Sequence, residues 1–286
     1  MKFLSEAKIN LTLDVLLKLP DGYHLIKSLV LKVPLCDEIY FEFGKDMVIY
    51  ENVLVDNDII ERTKKRFFEI TKISDKITIR VKKNIPVGSG LGGGSSNAAR
   101  VLLSLNQIYD FPLDEHTLFE IGKDLGSDVN LFLRDEKLIL IEGKGEKVFP
   151  IYAKDREFFF SIVYPNIKIS TKDVYSAIEK IEKRELITDK VLDRILLGED
   201  FIHFLKNDLE EFAFKIKPEL KEIKEILLKH FSINVVMSGS GSSFICFFNS
   251  PNHLYSHFEF LKKFHFQVFL FHALGWEKIY RIDMQK

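Results

Sequence analysis

Residues 86–99 read Pro86-Val87-Gly88-Ser89-Gly90-Leu91-Gly92-Gly93-Gly94-Ser95-Ser96-Asn97-Ala98-Ala99. Five glycines and three serines fall within the nine positions 88–96, too many small residues for an ordinary turn. Such a run lets backbone N–H groups approach an anion closely. The stretch before it, Lys76-Ile77-Thr78-Ile79-Arg80-Val81-Lys82, alternates with period two and predicts a half-buried strand. After it, Ala98, Ala99, Val101, Leu102, Leu105 and Ile108 recur at helical spacing. A glycine loop between a strand and a helix puts the helix's N-terminal partial charge next to those amides, where a phosphate binds well. Ser95 and Ser96 add hydroxyl donors at the same place.

The residues after the run exclude two familiar loops. A Walker A loop needs Gly-Lys and then Ser or Thr, and no lysine follows these glycines. Gly88, Gly90 and Gly93 satisfy a dinucleotide fingerprint, but that fold then requires a strand. Here Asp114 instead caps a second helix carrying Leu118, Ile121 and Leu125, which Gly126 ends. Two helices in succession also exclude a simple parallel βαβ unit.

Further along, Leu138–Ile141 and Phe158–Val163 predict buried strands separated by a turn at Gly143 and Gly145. Helices are expected from Ser170 or Thr171 to Ile181, then over Asp189–Leu197, Asp208–Lys215 and Pro218–His230. Strands at Ile233–Met237, Ser243–Phe248 and Phe266–Phe271, with a helix from Pro251, complete the chain. The expected fold class is α+β, with two packed domains, residues 1–155 and 156–286, and a cleft between them. A length of 286 residues suits that division.

The composition limits the partners. With 41 Lys and Arg against 42 Asp and Glu, the chain lacks the broad positive field of a nucleic-acid binder. Anionic ligands must be held by a local site. No apolar run approaches the ~20 residues of a membrane helix. Cys36 and Cys246 form no metal-ligand pattern and read as free thiols suited to a reducing compartment, so a cytoplasmic location is expected. His203, His230, His257 and His272 have no metal spacing, and Lys180–Glu185 reads as a solvated helix face.

The 86–99 stretch resembles the phosphate loop of the GHMP small-molecule kinases. Ser238-Gly239-Ser240-Gly241-Ser242 resembles the C-terminal glycine motif of the same superfamily. Ala7-Lys8-Ile9-Asn10-Leu11 and Pro20-Asp21-Gly22-Tyr23-His24 resemble the N-terminal signature of the branch whose acceptor carries a cytidine diphosphate. The segments lie in family order across nearly the whole chain. The resemblance implies a two-domain GHMP kinase fold with its active site in the interdomain cleft. It implies ATP as co-substrate with Mg2+, and transfer to the 2-hydroxyl of a cytidine-diphosphate-linked methylerythritol in non-mevalonate isoprenoid synthesis. Pro86 to Ser96 would bind the ATP phosphates. Neither nucleic acid nor a membrane is expected as a partner.

Individual roles are implied by position. Asp128, in Gly126-Ser127-Asp128-Val129-Asn130, would by residue type alone be a cap or turn residue; the resemblance makes it the catalytic base. Lys8, otherwise a solvated lysine on an edge strand, becomes its cationic partner, with Asn10 nearby on the substrate side. Tyr23 and His24 match the pair that holds the cytosine, and Tyr175 matches an aromatic closing on the ring, although a core-packed helix residue fits Tyr175 equally. Lys144 aligns with a substrate-contacting lysine, or is a solvated turn residue. Ser240 belongs to a loop that closes over substrate or phosphate, or to a plain turn between strands. The family usually has proline where this chain has Asn130, so the backbone aiming Asp128 is expected to be looser. The metal ligands are unassigned. The alternatives are a GHMP kinase for another small alcohol, of homoserine or mevalonate type, and a non-catalytic binding protein of the same fold.

Overall fold

The computed structural model describes residues 1–53, 58–181, 185–230 and 232–283. The first half contains β1 (Lys2–Asn10), β2 (Asp14–Lys18), β3 (His24–Phe43), β4 (Met47–Tyr50), α1 (Ile59–Thr71) and β5 (Ile77–Lys82). It continues with α2 (Gly93–Ile108), α3 (Glu115–Leu125), α4 (Val129–Leu133), β6 (Leu138–Gly143) and β7 (Lys147–Pro150). The second half contains β8 (Phe158–Tyr164), α5 (Thr171–Ser176), α6 (Ile187–Leu197), α7 (Glu210–Ile216) and α8 (Glu219–Leu228). It ends with β9 (Asn234–Met237), β10 (Phe244–Phe248), α9 (Pro251–Leu261), β11 (Gln267–Ala273) and β12 (Ile279–Ile282).

The long β3 is the spine of the first sheet. It pairs antiparallel with β1, β2, β5 and β6 along different parts of its length, and β4 and β7 extend the edges. The second sheet runs β12-β11-β8-β10-β9, antiparallel throughout. An apolar layer joins the two. Ala7, Ile9, Leu11, Leu29, Leu31 and Leu138 of the first sheet share one cluster with Phe160, Ile162, Phe247 and Phe271 of the second. Phe160 stacks on Phe271 at 4.8 Å, so some of the chain's 26 phenylalanines serve this layer. The first sheet's other packing, Ile39, Phe41, Ile77, Ile79 and Val81, lies in a cluster with Phe67 of α1 and Ala98, Val101 and Leu105 of α2.

The elements around the glycine run form as their residues dictate. Asp114 caps α3 by accepting from Thr117 N at 2.8 Å, and α3 ends at Gly126. The helix after the loop begins earlier than its apolar spacing suggests, at Gly93, so Gly93 to Ser96 form its first turn. Its N-cap is Gly92 with φ +71°, and no side chain caps it. The helix expected through Ile181 stops at Ser176; Ser170 does cap it, accepting from Asp173 N. The later part of the Lys180–Glu185 stretch, residues 182–184, lies outside the described residues. Strands β1, β7 and β12 carry no strict alternation, so no pattern in the sequence marks them. Cys36 and Cys246 are both free, and burial pushes their thiols up to about 11 and about 12.

Candidate active site

The loop, the C-terminal glycine motif and the ends of β1 and β3 enclose a cavity of about 890 Å³. Every site residue expected from sequence lines it except Ser96. Ser96 is the correction. Its place in the first turn of α2 turns its hydroxyl inward, where it donates to Glu6 O at 2.5 Å and meets Ser5 Oγ at 2.6 Å. Its N–H is bonded to Gly92 O, so it offers a phosphate nothing. Ser95, one residue earlier, does face the cavity.

The glycines are used individually. Gly88, Gly90 and Gly92 have φ near +70° to +79°, which side-chain-bearing residues rarely adopt. At Gly90 a Cβ would stand 2.1 Å from Ser238 O, because the two glycine segments touch there. Ser238 Oγ donates to Gly90 O at 3.0 Å, and Ser243 N donates to Ser89 O at 3.0 Å. Gly94 faces open space. The first N–H groups of α2 therefore end uncapped at the cavity wall, an arrangement that holds an anion.

Lys8 is not solvated: it is 5% exposed. Its Nζ donates to Asn10 Oδ1 at 2.6 Å and lies 3.6 Å from Asp128 Oδ2. Asn10 is fixed in turn by donating to Ser28 Oγ at 2.8 Å. Asp128 occupies the N-cap position of α4, yet its side chain makes no capping bond, which leaves the carboxylate for Lys8 and the cavity. Asn130 is buried in the same helix.

At the other end, His24 is 4% exposed and neither ring nitrogen has a hydrogen-bond partner. Burial is the larger cause, and Lys18 the lesser, of a pKa below the ordinary histidine value, so the ring is neutral at pH 7. The Tyr175 ring lies 5.3 Å from it, tilted by 36°. Tyr175 both packs against the core and lines the cavity, so the two readings of that residue are compatible. Burial and the nearby Asp128 charge raise its phenol pKa. Tyr23 is exposed at the rim; Lys144 Nζ sits 4.9 Å from its ring centre and 2.5 Å from Asp21 Oδ2. Ser240 Oγ meets Thr171 Oγ1 at 2.7 Å, which ties the C-terminal glycine segment to the start of α5.

Sequence reasoning missed several wall residues. Lys83, its side chain enclosed beside Gly93, bonds to Asp37 and donates to Asn97 Oδ1 at 2.8 Å. Its signal is its position three residues before Pro86, where a lysine in a charge-rich stretch is easily passed over. Asn97, Thr171 and Lys172 also line the cavity. His203, His230, His257 and His272 do not. Among the described residues no group of three or more His, Cys, Asp or Glu side chains gathers to hold a metal ion, and no helix is long and apolar enough to cross a membrane.

The family model for the GHMP kinases N terminal domain matches residues 57–133, and that for GHMP kinases C terminal matches 193–265. With the two-sheet fold and the cleft, these matches define the class: a GHMP small-molecule kinase. The 4-diphosphocytidyl-2-C-methyl-D-erythritol kinase of Caldicellulosiruptor bescii is 34% identical over 284 residues, covering 94% of this chain and 97% of the relative. A solved 4-(cytidine 5'-diphospho)-2C-methyl-D-erythritol kinase superposes with a TM-score of 0.81 at 30% identity, covering 96% of this chain and 99% of the other. The homoserine kinase of Cytophaga hutchinsonii, 16% identical with a TM-score of 0.72 over 99% and 97% of the two chains, shares the fold. The chain belongs to the 4-diphosphocytidyl-2-C-methyl-D-erythritol kinase family.

Proposed function

We propose that this kinase transfers the γ-phosphoryl group of ATP to the 2-hydroxyl of 4-diphosphocytidyl-2-C-methyl-D-erythritol, a step of non-mevalonate isoprenoid precursor synthesis. The observation that carries the choice of substrate is His24, a buried neutral imidazole with two unpartnered nitrogens in the wall of the same cavity as the Lys8–Asp128 pair. A buried polar ring without partners is costly unless a ligand satisfies it. The edge of a cytosine supplies the missing donors and acceptors, and Tyr23 and Tyr175 supply faces for stacking.

In the reaction, the N–H groups of the glycine loop and of the first turn of α2 hold the ATP phosphates. Asp128 accepts the proton of the 2-hydroxyl as its oxygen bonds to the γ-phosphorus and the bond to the β-phosphate oxygen breaks. Lys8 stabilises the negative charge that develops on the attacking oxygen, and its bond to Asn10 keeps the ammonium in place. Lys144 and Ser240 bound the substrate from the two sides of the cleft. On this reading residues 1–155 supply the phosphate loop and the base, and residues 156–286 supply Tyr175 and Ser240.

The Ser95 hydroxyl in the cavity wall is a hard oxygen donor of the kind magnesium takes when it arrives with a nucleotide. Ser95 Oγ, on the cavity side of α2, is the protein group that would complete its shell. When bound, the ion neutralises phosphate charge.

An ATP-coupled assay comparing 4-diphosphocytidyl-2-C-methyl-D-erythritol with homoserine and mevalonate tests the proposal. Turnover is expected with the first alone. Turnover confined to homoserine or mevalonate overturns it, and binding of ATP with no turnover on any of the three favours a non-catalytic protein.

A further inference from the structure

Asp128 stands at the head of α4, a helix of five buried residues, Val129 to Leu133. A helix that short spans less than ~8 Å and behaves as a rigid piece, so whatever holds its far end also sets the direction of Asp128. At that far end stands a second buried lysine. Lys32 of β3 is 4% exposed, and its Nζ donates to Arg134 O at 2.5 Å and to Asp135 O at 3.2 Å. Its backbone N–H donates to Lys137 O at 2.9 Å, so a single residue grips the chain leaving α4 at three carbonyls.

Lys32 is also the cross-strand partner of Lys8 in the β1–β3 ladder. Residues directly opposite in an antiparallel pair share a face of the sheet. The same rung of the first sheet thus presents one lysine to the carboxylate before α4 and another to the carbonyls after it. The other polar side-chain attachments of the 134–137 segment lie nearer solvent: Arg134 with Glu115, Tyr152 with Glu136, Lys137 with Glu6, and Lys137 N donating to Glu277. Lys32 is the deeply buried one. Burial in a site with few compensating charges lowers its pKa to about 8. Such a residue costs folding free energy relative to an apolar one, and that cost calls for a use.

We propose that Lys32 is a positioning residue for the phosphoryl transfer: by holding the C-terminal end of α4, it aims Asp128 at the acceptor hydroxyl. This rests on the assignment of Asp128 as the base. Lys32 is absent from the cavity wall, so it is not placed to contact a ligand bound there.

The experiment is a double-mutant cycle on the full chain with Lys32→Met and Asp128→Asn. Lys32→Met is expected to lower kcat about tenfold or more, since a misaim of the order of 1 Å is that costly. The KM values for ATP and the cytidylyl substrate are expected to stay within about twofold, because the binding walls are untouched. In the Asp128→Asn background the same substitution is expected to leave the residual rate unchanged. An unaltered kcat in Lys32→Met overturns the proposal, as does an equal loss in both backgrounds. If Asp128→Asn alone keeps full turnover, the base assignment fails first, and that is read without Lys32. Should Lys32→Met not fold, Lys32→Gln, whose shorter and neutral amide cannot reproduce the ammonium's grip, replaces it with the same expectations. Failure of both to fold makes Lys32 a residue of stability alone, and the proposal falls.

Discussion

The two ends of the cavity are built in opposite ways. The end proposed for the phosphates is backbone: glycines at positive φ, an uncapped helix terminus, and two glycine segments joined where Ser238 Oγ donates to Gly90 O and Ser243 N to Ser89 O. The end proposed for the nucleoside is side chain: His24 buried and in ring contact with the half-buried Tyr175, Tyr23 exposed, and Lys144 held over it by Asp21. A site made of backbone tolerates almost no added atom, whereas a site made of side chains can be trimmed one group at a time. The first end needs only what any nucleotide triphosphate presents, its phosphate oxygens. On the proposed assignment, the second end carries the choice of substrate.

The Lys8–Asp128 pair sits where the two ends meet, and the largest effect is expected there. Asp128→Asn removes the proposed proton acceptor while keeping shape, and kcat is expected to fall by about 10²–10⁴-fold, the range for general base catalysis. ATP binding measured by titration should stay within about threefold, since the phosphate end does not use this carboxylate. Turnover within about threefold of the parent would remove Asp128 from the mechanism.

Gly90→Ala comes next and tests the backbone end. Its Cβ would meet Ser238 O at 2.1 Å, with Gly241 O at 2.9 Å, and both are backbone that cannot swing aside. The φ of +79° adds strain of about 1–2 kcal/mol for any side chain. The two glycine segments must then separate, so KM for ATP should rise and the melting temperature should fall together. Gly94→Ala, where nothing lies within 4 Å, is the control and should leave the melting temperature nearly unchanged. Equal melting temperatures for the two variants would break the contrast between a closed and an open glycine.

The nucleoside end should respond more mildly and in KM rather than kcat. Tyr23→Ala removes an exposed stacking face, worth about 1–3 kcal/mol per base, and so raises the KM of the cytidylyl substrate about five- to 150-fold. ATP KM should not move. A change in ATP KM equal to that in the acceptor KM would mean the cavity is not divided as described.

This division also explains how much of the site is legible in the chain itself. The phosphate end is contiguous, so the strand, the glycine run and the following helix are visible as local periodicity and small residues. The limit of that reading is Ser96, whose neighbour Ser95 faces the cavity while its own hydroxyl turns to Glu6. A helix advances about 100° per residue, and the register of its first turn is fixed by Gly92, not by any apolar pattern. The nucleoside end comes from β3, a hairpin turn and α5, which only the tertiary fold brings together. Its residues are legible by resemblance and by nothing in their spacing. Lys32 and Lys83 show a further limit: a lysine whose side chain is enclosed and a lysine in water look alike in sequence.

Asn130 gives the smallest expected effect and bears on how the two ends are joined. Its replacement of the family's usual proline suggests a looser Asp128. The structure puts Asn130 second in α4, within a wholly buried turn, with its Oδ1 unpartnered and directed at Gly122. Packing on every side and the grip of Lys32 on the segment after α4 restrain this backbone, so the freedom that a missing proline ring would confer has little room to act. Proline in a first helical turn loses no intrahelical bond. Asn130→Pro should therefore leave kcat within about twofold. It should raise stability by about 0.4–1 kcal/mol through the unfolded chain, with some further gain from removing a buried carbonyl that has no donor. Calorimetry and steady-state rates on the one variant separate the two outcomes. A several-fold rise in kcat without a change in stability would mean that the aim of Asp128 is limited by the backbone at Asn130, and that buried packing alone does not set it.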